Sequence, residues 1–321
     1  REASRLRAPN RLLSNPAQFP LSKDVALPSI ALGTMGLGRK EAQAVVSRAN
    51  ALGFGAVDSA PTYKNEDKVG EGELDPTSIV IVKVPKGATY AAQVRQELTE
   101  SLSKLKRKHP DLLLLHWPTD VIASDSLKEV WGEMETCHTQ GLVRALGVCN
   151  FNVQALLLLL SQCSIRPVVN QVERHPLLPQ WGLVDLCAQH DILLQAHSPL
   201  GQGSNELLGH SVVQQVASRN NRSAAQVVLQ WNLQQGVAVV PKCRSEEHMR
   251  DVLSARTGRG LSTADMEALN MITETKRFVA PPLCMGKIRT AGANVFQNDV
   301  VGSTDKRRES FWGWHMGLRL F

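Results

Sequence analysis

The chain has 321 residues, 43% hydrophobic and 21% charged, with a formal net charge of +6. That is enough apolar material for one large core, and no apolar run comes near the ~20 residues of a membrane span; the longest is Ala155–Leu160. The six cysteines include no C-x-x-C pair, which argues against a zinc site or disulfide framework and for a reducing compartment. The basic residues gather toward the ends (Arg1, Arg5, Arg7 and Arg11; Lys306, Arg307 and Arg308), with no basic patch interleaved with aromatics between them. Neither nucleic acid nor membrane is an expected partner, and a monomer is the expected state.

Residues 1–17 are Arg-rich with a single acid, Glu2, and read as a flexible leader or a targeting segment. The expected location is cytoplasmic, or an organelle if this segment is a transit peptide. From residue 18 to 275, short β-rich apolar runs alternate with longer stretches of helical period. The order is strand Ser29–Gly33, helix Lys40–Leu52, strand Gly55–Asp58, and then only Asn65 to Leu74 before strand Ser78–Val84. A βαβ unit usually takes ~30 residues, so this gap predicts a helix of one or two turns. Next comes a helix whose Val94, Leu98, Leu102 and Leu105 share one face, with Thr89 as the expected cap. The pattern continues with strand Asp111–His116, helix Ser126–Thr139, strand Val143–Val148, helix Val153–Gln162, strand Val168–Val172, helix Trp181–Gln189 and strand Ile192–Ala196. It closes with helices Ser211–Asn220 and Ala224–Gln235, strand Val237–Val240 and helix Glu246–Ser254. Eight strand–helix units predict an α/β fold, a single (β/α)8 TIM barrel. Residues 276–321 carry Gly, Pro and Trp without period and read as a loop-rich tail.

In such a barrel the chemistry sits at the C-terminal ends of the strands. There the chain places Asp58 after the second strand, Lys83 in the third, His116 ending the fourth and Asn150 after the fifth. Gln171 in the sixth, His197 after the seventh and Lys242 after the eighth follow. Singly, each has an ordinary explanation: an Asp at a strand end is usually a helix cap, and a lone His a packed core residue. Seven hydrogen-bonding or ionisable groups on one rim are more than a structural barrel needs. The run GTMGLG at 33–38 lacks the G-x-G-x-x-G spacing, so no Rossmann domain is indicated.

Six stretches, in register, resemble the aldo-keto reductase superfamily: GAVDSAPTYKNEDKVG (55–70), LLLLHWP (112–118), GLVRALGVCNF (141–151), PVVNQVERHP (167–176), LLQAHSPLGQG (193–203) and VAVVPKCRSEEHM (237–249). The resemblance runs from Leu21 to Ile272. It implies NAD(P)H-dependent reduction of an aldehyde or ketone, with NADP expected as the cofactor and NAD as the alternative. It also implies a catalytic tetrad of Asp58, Tyr63, Lys83 and His116. Tyr63, one of only two tyrosines, would be the general acid, its phenol pKa lowered by Lys83. Asp58 would orient Lys83, and His116 would position the carbonyl oxygen. Asn150 and Gln171 would meet the nicotinamide carboxamide and Lys242 the adenosine 2′-phosphate. Ser198 and Leu200 would line the cofactor, and Trp117 the substrate.

Several positions depart from the family. His197 stands where a tyrosine stacks on the nicotinamide. Cys149 and Cys243 replace serines that bond the cofactor, and a thiol is a weaker donor. His248 replaces a phosphate-binding arginine, and Val252 an asparagine near the adenine. These changes leave a competing reading open, a weakly catalytic or non-catalytic nucleotide-binding regulatory subunit of the same fold. A metal-dependent barrel hydrolase would need a His/carboxylate cluster, and Lys83 would oppose a cation there; no metal is expected.

Overall fold

Period-2 alternation turns successive side chains of a strand to opposite faces, so even a short strand presents residues to both. A computed structural model of the chain describes residues 16–279. The expected leader lies outside the described residues except at 16–17, and the expected tail except at 276–279.

A hairpin of β1 (Gln18–Pro20) and β2 (Ala26–Pro28) opens the fold. The barrel strands follow: β3 (Leu32–Gly33), β4 (Ala56–Asp58), β5 (Ile79–Val84), β6 (Leu112–Leu115), β7 (Leu146–Cys149), β8 (Val169–Glu173), β9 (Leu193–His197) and β10 (Ala238–Val240). All neighbours pair in parallel and in sequence order. The ring closes where Ile30 bridges Val239 and the Gly33 amide donates to the Pro241 carbonyl at 2.9 Å.

Helices fill the crossovers: α1 (Arg39–Ala51), α2 (Glu66–Glu71), α3 (Ala91–Leu105), α4 (Thr119–Ala123), α5 (Leu127–Thr139), α6 (Val153–Leu160), α7 (Trp181–Gln189), α8 (Asn205–Leu208), α9 (Ser211–Asn220), α10 (Ala224–Leu233), α11 (Glu246–Ser254) and α12 (Thr263–Asn270). The short α2 is the one-to-two-turn helix expected. Thr89 is not the cap of α3: Tyr90 holds that place without a side-chain bond, and the Thr89 amide is taken by Gln93 Oε1 at 2.8 Å. The glutamine reaches back from the first turn and fixes the residue before the cap. The hairpin, α4, α8 and α12 were not expected from the sequence; α12 is capped by Ser262 and tied to α10 by the Trp231 indole, which donates to Asn270 at 2.7 Å.

Alternation along each strand decides what faces the barrel axis. In β5, Val80, Val82 and Val84 pack outward into the layer shared with the helices, whereas Ile81 belongs to the inner cluster. Lys83 has the parity of Ile81. The same parity turns Leu112 and Leu114 of β6, Cys149 of β7 and Val169 of β8 inward. Gly147 is inward too; a Cβ there would lie 2.6 Å from Leu114 Cδ2 and 2.8 Å from the Val169 carbonyl oxygen, so β6, β7 and β8 close up only around a glycine. Phe19 and Leu27 of the hairpin join this inner cluster and fill the N-terminal end of the barrel. The apolar inner layers thus end below, and a polar layer begins above.

Candidate active site

The polar layer starts from Asp58, the last residue of β4. Its Oδ1 accepts from Lys83 Nζ at 2.5 Å and its Oδ2 from Gln171 Nε2 at 2.7 Å. Both partners share its inward parity on β5 and β8, which is why residues 25 and 113 positions away reach one carboxylate. Tyr63 ends a 3-10 turn (Pro61–Tyr63) just after β4, with Pro61 setting its start. That turn brings the Tyr63 hydroxyl to 3.1 Å from Lys83 Nζ. His116 follows β6 with the inward parity of Leu112 and Leu114. Its ring meets Tyr63 edge-on at 5.9 Å between centroids and stacks with Trp117 at 6.1 Å. His116 Nδ1 is buried without a hydrogen-bond partner. Asp58, Tyr63, Lys83, His116 and Trp117 therefore meet at one mouth.

The electrostatics follow from burial and one ion pair. Burial disfavours the Lys83 ammonium, but Asp58 and then Tyr63 outweigh it, and the lysine stands above its ordinary pKa. Burial pushes the Tyr63 phenol up, although part of the ring remains open at the mouth. Lys83 pulls it down without prevailing, so the net direction is opposite to the lowering expected from the lysine alone. The phenol is protonated across the neutral range. Burial, reinforced by Lys83 and His197, holds His116 well below the ordinary histidine value, hence neutral.

A second group surrounds the first. Asn150, directly after β7, takes a left-handed φ of 62°. Its Nδ2 donates to the His116 carbonyl at 3.0 Å and to Cys149 Sγ at 3.2 Å. His197 Nε2 lies 2.9 Å from Asn150 Oδ1, an acceptor, so this nitrogen carries the proton of the ring; Nδ1 faces Ser198 Oγ at 3.3 Å. Ser198 also has a positive φ of 46°. Left-handed non-glycine backbone thus follows both β7 and β9, the strands on either side of β8. Burial pushes His197 down to about 3 and the Cys149 thiol up to about 12.

Two glutamines use their amides inside the barrel. Gln171 Nε2 donates to Asp58 and, at 2.8 Å, to Gln195 Oε1, while its Oε1 accepts from Cys149 Sγ at 3.5 Å. Both amide protons are spent, so in this arrangement Gln171 can offer a ligand an acceptor only. Gln195 and Glu173 were missed by the sequence reading. Gln195 had a signal, a polar residue in LLQAH with the parity of His197. Glu173 ends β8, and its buried carboxylate lies 3.0 Å from His175 Nε2 and accepts from the amides of Phe278, at 2.6 Å, and Val279, at 2.9 Å. It ties the last described residues to the mouth.

The remaining expected residues lie along an edge of the mouth. Leu200 is half-buried and precedes a 3-10 turn (Gly201–Gly203). Lys242 follows β10 with its Nζ against Gly36, whose φ is 72° and whose Cβ would sit 3.2 Å from that nitrogen. His248 is exposed in the first turn of α11, behind the capping Ser245. The Cys243 side chain turns away into the hydrophobic layer with Met249 and Val252, and burial pushes its thiol up to about 12. Among the described residues no cluster of three or more His, Cys, Asp or Glu could hold a metal, and no helix is long and apolar enough to cross a membrane.

The buried His116 and the half-buried His197, both held below the ordinary histidine value, make a pH prediction. A histidine held neutral when folded contributes stability that is present above its unfolded pKa of ~6.5 and is lost as pH falls. Stability in urea should therefore drop between pH 6 and pH 5. His197→Gln should flatten that slope by up to about 1 kcal/mol per pH unit, less where solvent at the mouth blunts the effect. An unchanged slope would mean that His197 charges freely in the fold.

The Aldo/keto reductase family model matches residues 29–274. Aldose reductase B of Dictyostelium discoideum is 32% identical over 295 residues, covering 82% of this chain and 94% of that protein. Glyoxal reductase of Bacillus subtilis (strain 168) is 36% identical over 270 residues, covering 80% and 93%. Methylglyoxal reductase DkgA of Escherichia coli (strain K12) is 32% identical over 234 residues, covering 72% and 84%. Among solved structures, Gox0644 in its apo form superposes with a TM-score of 0.77 at 30% identity, covering 82% of this chain and 96% of the other. Aldose reductase from Schistosoma japonicum gives 0.74 at 27% identity, covering 85% and 95%. With a parallel barrel closed in sequence order and polar groups from most of its strands at one mouth, the chain belongs to the aldo/keto reductase family of oxidoreductases, enzymes that reduce small carbonyl compounds.

Proposed function

We propose that the chain reduces an aldehyde or ketone to an alcohol with NADPH, Tyr63 supplying the proton. The observation that carries this is the Tyr63 hydroxyl held 3.1 Å from a lysine that is itself ion-paired to Asp58. Bound reduced nicotinamide supplies the hydride that forms the new C–H bond. The carbonyl oxygen then takes the Tyr63 proton, and the O–H bond of the phenol breaks as that of the alcohol forms. Lys83 stabilises the phenolate left behind, and water restores its proton. A raised phenol pKa keeps the proton in place until charge develops on the substrate oxygen. His116, neutral, offers a ring N–H to that oxygen without competing as the acid. Asp58 keeps Lys83 charged and aimed at the phenol.

The residues fit a dinucleotide. Asn150 and Gln171 retain acceptor capacity beside the tetrad for a carboxamide. Lys242 and Arg244 form a cationic end to the groove along the edge of the mouth, with the lysine ammonium against Gly36. A 2′-phosphate finds these cations there, which favours NADPH over NADH. Glyoxal, methylglyoxal and aldoses are the substrates to test first, because they name relatives of this chain. The test is NADPH oxidation followed by absorbance with each carbonyl. Saturable, carbonyl-dependent turnover is expected. Tight NADPH binding without turnover on any carbonyl would replace this reading with the nucleotide-binding regulatory one.

A further inference from the structure

At the edge of the mouth the β3–α1 loop faces the β10–α11 loop, because the first and last barrel strands are neighbours. One arginine clasps them. Arg244 Nε donates to Glu41 Oε1 at 3.1 Å, and its Nη2 donates to the Gly36 carbonyl at 2.9 Å. From α1, Arg48 Nη1 donates to the Arg244 carbonyl at 3.0 Å. Glu41 is held from its own side as well, since its Oε1 takes the Gly38 amide at 2.9 Å and closes the start of α1. Lys242 Nζ abuts the same loop at Gly36. The Gly38 amide, then Arg244 and Lys242, hold the Glu41 carboxylate below its ordinary range. One carboxylate thus occupies the cationic end of the groove.

We propose that Glu41 is a specificity-determining residue of the nucleotide site. It occupies Arg244 and places a negative charge beside Lys242, and so it opposes a 2′-phosphate while leaving an unphosphorylated ribose untouched. This rests on the reading that the groove binds NAD(P)H. A ribose phosphate carries roughly −1.5 to −2 charges at neutral pH and meets the Glu41 carboxylate, of like charge, already on the Nε side of the guanidinium. NADH has no such demand. Glu41 therefore narrows the preference that Lys242 and Arg244 create. The groups are exposed, so the effect is modest and salt-sensitive.

The experiment is fluorescence titration of the full chain with NADPH and NADH, and calorimetric titration with adenosine 2′,5′-bisphosphate, at low and at ~0.5 M salt. Glu41→Gln removes the charge and keeps a carbonyl for the Gly38 amide. It should bind NADPH and the bisphosphate about three- to fivefold more tightly at low salt, bind NADH within about twofold of the parent, and lose the difference at high salt. Arg244→Gln should weaken NADPH by a similar factor and leave NADH unchanged. If Glu41→Gln shifts NADPH and NADH alike, or neither, the proposal is overturned and the clasp serves only to position the loops. The functional reading fails separately: in that case the parent and both variants bind none of the three probes, and this inference falls with it.

Discussion

Tyr63→Phe is expected to lower turnover by at least about 100-fold, the usual range for losing a general acid. Phenylalanine keeps the ring that meets His116 at 5.9 Å and removes only the oxygen held 3.1 Å from Lys83. No other phenol is near, because the chain's second tyrosine, Tyr90, is exposed at the start of α3. His116 cannot replace it as an acid, since burial keeps its ring neutral. The loss should therefore fall on the chemical step, with NADPH affinity and substrate KM within about twofold, because an interaction made mainly in the transition state moves kcat rather than binding. Steady-state kinetics on one aldehyde and one ketone, with a parallel cofactor titration, checks this. A variant with near-normal activity on the ketone would remove Tyr63 from the mechanism.

Lys83→Met should cost both activity and stability, and the second effect can be separated from the first. Lys83 and Asp58 are both buried, so removing the lysine leaves a carboxylate inside the barrel with only Gln171 to face it. Breaking a buried pair in this way costs about 3–5 kcal/mol. The folded pKa of Lys83 is raised, so its pairing stabilises the fold fully below the unfolded lysine value of ~10.4 and is lost only as pH rises through the folded one. At pH 7 the parent therefore has the whole contribution and the variant none. Lys83→Met with Asp58→Asn removes both charges and should recover most of the lost stability, but not turnover, because the phenolate left by Tyr63 still lacks its cation. Urea unfolding of the two variants beside the parent, with kinetics on each, reads both effects. If Lys83→Met alone is as stable as the parent, the ion pair does not matter to the fold. If the double variant recovers turnover, Lys83 has no part in the chemistry.

Much of this protein was determined locally, and so was legible in one dimension. A strand's parity depends only on spacing: Lys83 inside IVIVKV had to face the side that Ile81 faces, and His116 the side of Leu112 and Leu114. Eight such runs separated by helical periods call for a parallel sheet buried on both faces, and eight strand–helix units are the number that closes one into a ring. The ten residues from Asn65 to Leu74, the stretch left for a helix between the second and third barrel strands, could hold only a short one, and α2 is short for that reason. The same spacing sets Asp58, Lys83 and His116 on one rim, and the turn after β4 brings Tyr63 to them.

Partners came from the fold alone. No spacing joins Asp58 to Gln171, or Gln171 to Gln195; barrel register does, by setting Gln171 opposite Gln195 on the next strand. The phenol of Tyr63 rises because the barrel desolvates it, and the closeness of a lysine, which the sequence suggests, does not outweigh that. Glu173 looks like one more acid in VNQVE until residues 278 and 279 return across some hundred positions to put their amides on it. Cys243 sits in VAVVPKCRSEEHM beside Lys242, yet packing takes its side chain under α11. Glu41 reads as an ordinary first-turn acid of α1, and only closure of the ring, first strand against last, sets it on Arg244. Burial, register and closure are sums over the whole chain, so they can reverse what neighbouring residues alone would suggest.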